Sequence, residues 1–270
     1  GLPHSASAKV VDALRSAGLP VFDLSADFRL TSKSVYETWY GEHGAPDRFD
    51  ESVYGLCELH REALRVADLV AVPGCYPTAA LLALAPLVAN DLISTEGLVV
   101  DAKSGVSGAG RSVSSATHLP ESAEGVRAYK VGGTHRHTVE IEQELAALAK
   151  RAVTLTFTPH LVPMTRGILV TAYAMAKEGT DAAACRAAAI RLYEGSPSVA
   201  VLEDGRPPDT LWVRGSNRAH VSYAFDARTG RVVAMSAIDN LLKGTAGQAI
   251  QCVNLRFGFD EGAGIAQPGS

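Results

Sequence analysis

The chain has 270 residues, of which 47% are hydrophobic and 20% charged, with a net charge of −4 and a pI of about 6.1. That is enough apolar material for one large domain or two joined ones with a sizeable core, and nothing marks a nucleic-acid partner or a membrane: there is no basic stripe, no apolar run near the roughly 20 residues of a span, and no signal-peptide pattern at the amino terminus. The four cysteines, Cys57, Cys75, Cys185 and Cys252, are far apart with no CxxC pair, which fits a reducing, cytoplasmic setting better than a disulfide scaffold.

In chain order, residues 5–17 read as a helix, capped by Ser5 or Ser7, with Val10, Val11 and Leu14 on one face and Gly18 to end it. A short strand at 20–25 runs into the polar turn 25–29. Residues 31–62 are read as irregular. An apolar strand at 68–72 meets Val72-Pro73-Gly74-Cys75-Tyr76-Pro77-Thr78, after which 78–89 reads as an apolar helix stopped at Asn90. A strand at 97–103 ends in the glycine-rich turn 104–111, and 112–128 is expected to be a long loop. An amphipathic helix is expected over 138–151, then strands at 153–160, 167–176, 218–226 and 231–238, the last two joined by a hairpin at 226–230. A helix over 181–193, capped by Asp181, interrupts the strands, and 244–257 is the final helix. Strand–helix alternation followed by a run of long strands predicts an α/β unit and an α+β unit with a mostly antiparallel or mixed sheet.

Cys75 is the first residue to explain. Strand, tight turn, cysteine and helix start is a geometry that activates a thiol, because the positive end of a helix dipole favours the thiolate. Pro77 suits the first turn of a helix, where a missing N–H costs nothing. A thiol acting on a carbonyl needs an acid/base partner, usually histidine. His135-Arg136-His137, just before a helix, offers two imidazoles and a guanidinium. In an extended segment, residues two apart face one side. The same pair is also half of a metal site, with no third ligand at a usual spacing, or a set of capping or surface histidines. Turn 104–111 offers backbone N–H groups and Arg111 for an anion or cofactor, or serves only to bend the chain. Ser25-Ala26-Asp27-Phe28-Arg29 sits at a strand end, where open α/β sheets bind ligands, and Arg29 suits a carboxylate or phosphate; the alternative is a local Asp–Arg pair.

Six stretches carry a resemblance: Leu24-Ser25-Ala26-Asp27-Phe28-Arg29, 72–78, 103–111, Gly133-Thr134-His135-Arg136-His137, 157–167 and 239–251. In order, and over nearly the whole chain to about residue 259, they resemble the N-acetyl-gamma-glutamyl-phosphate reductases, arginine-biosynthesis members of the aspartate-semialdehyde dehydrogenase superfamily. The resemblance implies a Rossmann domain (1–74 and 240–270) interrupted by a catalytic and dimerisation domain of the glyceraldehyde-3-phosphate dehydrogenase type (75–239), with the final helix returning to the former. It implies NADP(H) as cofactor, N-acetyl-glutamyl phosphate and phosphate as small-molecule ligands, and a homo-oligomer, dimer or tetramer.

The roles implied by the resemblance are these. Cys75 is the nucleophile, His137 the acid/base with His135 as alternate, and Arg136 and Arg111 are anion clamps, with Ser25 and Arg29 lining the substrate pocket. Gly105, Ser107 and Gly108 approach the nicotinamide, and Asn240 bonds its carboxamide. Relatives begin with a strand and a GxxGxxG phosphate-binding turn ahead of the segment at which this chain begins. The 270 residues alone are therefore expected to lack NADPH affinity and to expose the edges of the 20–25 and 68–72 strands. Rival readings are a lysine-pathway aminoadipyl-phosphate reductase acting on a carrier-bound substrate, an aspartate-semialdehyde dehydrogenase, a cysteine hydrolase and a non-catalytic fragment.

Overall fold

The computed structural model describes residues 6–110 and 119–265. Its elements, in chain order, begin with α1 (Ser7–Ser16), β1 (Val21–Asp23), α2 (Lys33–Tyr40), a 3₁₀ turn (Pro46–Glu51), β2 (Ser52–Tyr54), α3 (Cys57–Leu64), β3 (Leu69–Ala71) and α4 (Cys75–Ala89). Next come β4 (Leu98–Gly105), a 3₁₀ turn (Val106–Ala109), α5 (Leu119–Ser122), β5 (Arg127–Ala128), α6 (His137–Ala149), β6 (Leu155–Val162) and β7 (Ile168–Met175). The chain closes with α7 (Ala182–Leu192), β8 (Val199–Val201), α8 (Thr210–Val213), β9 (Ala219–Asp226), β10 (Arg231–Ile238), a π turn (Leu242–Ala246) and α9 (Gly247–Phe257). Contacts divide the chain into two units, one of residues 1–74 with 245–266, the other of 75–244.

In the first unit a parallel sheet, ordered β1-β3-β2, is covered on both faces. Successive residues of a strand point to opposite faces. Leu69 and Ala71 accordingly join Ala8, Val11 and Phe28 with Val21 in one cluster, while Val70 joins Cys57, Leu64, Cys252 and Leu255 with Phe22 and Val53 in another. Both sides of β3 are paired, so the expected exposed edge at 68–72 is corrected: β2, which lies inside the stretch read as irregular, occupies it. That stretch also contains α2 and α3. Aromatic residues are only moderate helix formers, but here they pack on each other. Tyr36 is fully buried, stacks on Tyr40 at 5.0 Å and meets His43 and Phe49 edge-on. Ser32 caps α2 by accepting from the Val35 N–H. In α1 the expected face is corrected too, since Val11 is buried whereas Val10 and Leu14 are exposed.

The second unit holds a seven-stranded mixed sheet, ordered β5-β6-β4-β7-β10-β9-β8, with β4∥β6 and β8∥β9 and the remaining pairs antiparallel. Its register sets Val100 against Ala172 and Val170 against Ser236 on the face that packs on α4. Helix α4 is apolar all round, and every residue from Tyr76 to Val88 is buried. A helix without a polar face belongs in an interior. α6 and α7 pack beside it. The long loop expected over 112–128 contains α5 and β5 in its described part.

Pro86 lies inside α4 and has no N–H for the carbonyl of Leu82, four residues before it. The Tyr193 hydroxyl donates to that carbonyl at 2.7 Å, and on the same helix the Ser236 hydroxyl donates to the Ala79 carbonyl at 2.7 Å. Tyr193→Phe therefore leaves a buried carbonyl without its donor. It is expected to lower stability by about 1–3 kcal/mol, read as an earlier denaturant midpoint, whereas Leu211→Ala on the exposed surface should stay within about 0.5 kcal/mol.

Candidate active site

In the first unit β1 ends in a closed polar network. Asp23 accepts from the hydroxyls of Ser7 (2.7 Å) and Ser25 (2.5 Å) and from the Ser25 N–H (3.0 Å). Asp27 accepts from the Ala8 N–H (3.0 Å) and the Tyr36 hydroxyl (2.8 Å). Asp27 thus caps α1 from a distance, and Ser7, expected as the cap, is spent on Asp23. Ser5 lies outside the described residues. Arg29 is 8% exposed and donates to the carbonyls of Val72 (2.7 Å) and Leu24 (2.9 Å). Ser25 and Arg29, expected to line the pocket, make these bonds within their own unit and lock the exit of β1 to the end of β3.

In the second unit Cys75 is the first residue of α4 and is half-buried. Pro77 is therefore the third helical residue, not the first, yet its missing N–H is still among the first four amides that have no partner within a helix. The thiol sits where the helix dipole is positive. The π turn passes against it. A Cβ placed on Gly244 would lie 2.8 Å from the Cβ of Cys75 and 3.2 Å from its Cα, so only glycine lets the turn come this close.

Tyr76 gathers the histidines. Its ring meets His135 edge-on at 5.9 Å, His137 at 6.0 Å and Phe157 at 5.4 Å. The imidazoles of His135 and His137 lie 4.8 Å apart. His137 is the first residue of α6, and its N–H donates to Nδ1 of His135 at 3.1 Å. Burial, reinforced by the charges of His137 and Lys130, pushes the His135 pKa down to about 3. His135 is thus neutral near pH 7, and with Nδ1 accepting it carries its proton on Nε2. The Tyr129 hydroxyl donates to that of Tyr76 at 3.2 Å. Burial pushes the Tyr129 phenol up to about 12, and a negative charge on Cys75 pushes it the same way. Tyr129, which the sequence offered no spacing to find, is thereby within electrostatic reach of the thiol.

The glycine-rich turn after β4 is clamped by the segment 164–167. Gly105 N–H donates to the Gly167 carbonyl (2.9 Å), Val106 to Met164 (2.9 Å) and Ser107 to Thr165 (3.2 Å). A Cβ on Gly105 would meet Met164 O and Arg166 N at 2.8 Å, and one on Gly108 would meet Ser104 Oγ at 2.5 Å. Asn240, only 1% exposed, accepts from the Gly167 N–H (2.8 Å) and donates to the Ser107 hydroxyl (3.0 Å). Its amide braces the turn as well as standing beside it. Asp239, fully buried, accepts from Arg166 (3.0 Å), from the Gly215 N–H (2.8 Å) and from the N–H groups of Leu241 and Leu242, and so fixes the entry to the π turn. Neither Asp239 nor Arg166 was singled out from sequence, although both lie in resembling stretches. Lys243, in the same turn, is fully buried, an uncommon place for a lysine. Arg136 is exposed at the start of α6, and Arg111 lies outside the described residues. Among the described residues no three His, Cys, Asp or Glu side chains converge as a metal site, and no helix is long and apolar enough to cross a membrane.

Comparison with known proteins gives a consistent set of matches. Residues 75–240 match the family model described as semialdehyde dehydrogenase, dimerisation domain, and residues 1–67 the one described as semialdehyde dehydrogenase, NAD binding domain. The chain is 51% identical over 269 residues to the N-acetyl-gamma-glutamyl-phosphate reductase of Desulforudis audaxviator, covering 99% of this chain and 78% of that protein. It is 50% identical to the Geobacter metallireducens protein of the same name, covering 98% and 76%. Among solved structures it resembles aspartate semialdehyde dehydrogenase II from Vibrio cholerae, with a TM-score of 0.71 and 18% identity over 94% of this chain and 77% of that one, a likeness of fold.

The depressed His135 pKa has a consequence for stability. The unfolded chain takes up this proton near pH 6.5, whereas the folded unit resists it down to about pH 3. The contribution is fully present above about pH 6.5 and is lost as the pH falls toward 3. Thermal melting between pH 7 and 4 should show His135→Gln losing less stability on acidification than the parent. Parallel pH profiles for the two proteins would contradict the burial of a neutral imidazole.

Proposed function

The chain belongs to the N-acetyl-gamma-glutamyl-phosphate reductases of the semialdehyde dehydrogenase family, and from that membership we propose that it catalyses the NADPH-dependent reductive dephosphorylation of N-acetyl-glutamyl 5-phosphate to N-acetyl-glutamate 5-semialdehyde in arginine biosynthesis. The observation that carries this reading is Cys75 at the first position of a buried helix, beside Tyr76 and the two imidazoles packed on its ring. The NAD-binding match and the parallel β1-β3-β2 sheet suit a dinucleotide. The turn after β4 is assigned to the nicotinamide end on the family resemblance, its glycines letting it pack against 164–166 and Ser104. Gly105, Ser107 and Gly108 would hold it there, with Asn240 fixing Ser107. When bound, NADPH supplies a hydride to the acyl carbon.

The chain's own residues then divide the work as follows. The Cys75 thiolate attacks the acyl-phosphate carbonyl. A carbon–sulfur bond forms, the carbon–oxygen bond to phosphate breaks, and phosphate leaves with that electron pair. A thiolate suits this because it is both a strong nucleophile and a good leaving group when the aldehyde is released. His137 gives a proton to the carbonyl oxygen as it becomes a thiohemiacetal hydroxyl and takes it back as the carbon–sulfur bond breaks, the aldehyde forms and the Cys75 thiolate is restored. His135, held neutral, donates from Nε2 to the substrate and orients it. Arg136 and Arg111 attract the carboxylate and phosphate charges. Ser25 and Arg29 act through the shape of the 24–29 and 72–74 segments.

The reading extends to a homo-oligomer, dimer or tetramer, supported by the dimerisation-domain match, and to a cytoplasmic location, supported by the four separated cysteines. In the intact enzyme, phosphate-dependent reduction of NADP with N-acetyl-glutamate semialdehyde is the assay. Cys75→Ser should abolish turnover with the fold unchanged by circular dichroism. His137→Asn should lower kcat by about 10²–10⁴, and His135→Asn should act mainly on KM; reversed effects would exchange the two roles. Gly244→Ala displaces Cys75 by the contact described above, and a misplacement of that order should cost about 10² in kcat. Wild-type rates from Gly244→Ala would show that the tight approach has no bearing on the thiol.

A further inference from the structure

Two thiols that the proposed reaction does not use meet inside the first unit. Cys57 opens α3 and Cys252 lies in the middle of α9, 195 residues later in the chain, and their sulfurs are 3.4 Å apart. Both side chains are fully buried. The surrounding backbone is shaped to bring them together. Cys252 donates its S–H to the Gly55 carbonyl at 3.1 Å, and Gln248 donates to the same oxygen at 2.8 Å. A Cβ on Gly55 would lie 2.9 Å from Val70 Cγ1 and 3.3 Å from the Cys252 sulfur, so a larger residue would push the 55–57 turn away from α9. At the adjacent positions Gln251 donates to Glu58 at 3.0 Å and to Glu261 at 2.6 Å, and one turn further along α3 Arg61 pairs with Glu261. The two helices are thus held at both levels, and little motion separates two sulfurs in contact from the geometry of a bond.

We propose that Cys57 and Cys252 form a redox site, closed to an intrachain disulfide by a hydroperoxide. Cys252 has its S–H committed to the Gly55 carbonyl, so Cys57 is the sulfur that attacks first. Its thiolate takes the terminal oxygen of the hydroperoxide and becomes a sulfenic acid, and the other oxygen, after taking up a proton, leaves as an alcohol, or as water where the oxidant is hydrogen peroxide. The Cys252 sulfur then attacks Cys57, the S–S bond forms, and the sulfenic oxygen leaves as water carrying the Cys252 proton. Two thiols are oxidised by two electrons and one hydroperoxide is reduced. The bond ties 1–74 to 245–266, the two stretches of chain that make up this unit, and so adds a covalent link to packing, hydrogen bonds and ion pairs. A thiol reductant reverses it.

The test uses the full chain with Cys75→Ser, because the nucleophile would be oxidised on its own account. That leaves three of the four cysteines. After hydrogen peroxide, free thiols are blocked and counted under denaturing conditions, and an unreduced digest is mapped by mass spectrometry. The expected result is a loss of two of the three titratable thiols, one linked peptide joining Cys57 to Cys252, recovery with dithiothreitol, and no such link when Cys252→Ala is added. Three thiols still titratable, separate sulfinic or sulfonic acids at 57 and 252, or a link through Cys185 would each overturn the proposal.

Discussion

Helix α4 has no face suited to water, and this constraint organises the second unit. Thirteen consecutive residues, Tyr76 to Val88, are buried, so the sheet formed by β4, β7, β10 and β9 and the helices α6 and α7 must close around it. A wholly buried helix has little freedom to slide, because interiors are packed as tightly as molecular crystals. The proposed nucleophile is attached to that rigid rod: Cys75 is its first residue. Even its one irregularity is compensated, since the carbonyl that Pro86 leaves without a donor is taken by Tyr193.

Around this fixed point the remaining site is built by close approach more than by long side chains. Gly244 lets the π turn touch Cys75, and Gly105 lets the turn after β4 lie against 164–166. Asn240 and Asp239, both buried, convert these backbone contacts into hydrogen-bonded ones. Buried polar groups in such numbers are stable only when their bonds are made. Tyr76 extends the arrangement to the histidines, so that the residue after Cys75 holds the imidazoles in place.

Much of this was legible in the sequence, and particular residues show why. The four long strands and the helix at 181–193 were readable because their alternation and caps are local, and Asp181 caps as expected. The Val72–Thr78 turn was readable because glycine, proline and cysteine at that spacing have few structural uses. The stretch 31–62 was not readable. Its helices depend on Tyr36, Tyr40, His43 and Phe49 packing together, which propensity does not encode. β2 escaped notice for a related reason: three residues become a strand only because β3 is beside them. Tyr129, Arg166 and Asp239 lay outside sequence reasoning because their partners are remote in the chain. The double service of Asn240, bracing Ser107 and Gly167 at once, is likewise visible only in three dimensions.

In the proposed reaction Cys75 becomes acylated in a step that needs no nucleotide. The direct measurement is to mix the intact enzyme with N-acetyl-glutamyl phosphate in the absence of NADPH, quench in acid, and weigh and map the protein by mass spectrometry. The expected result is one N-acetyl-glutamyl group per chain, confined to the peptide carrying Cys75, released by hydroxylamine and absent from Cys75→Ser. Full acylation at another residue, or turnover-competent enzyme that never carries the adduct, would contradict it.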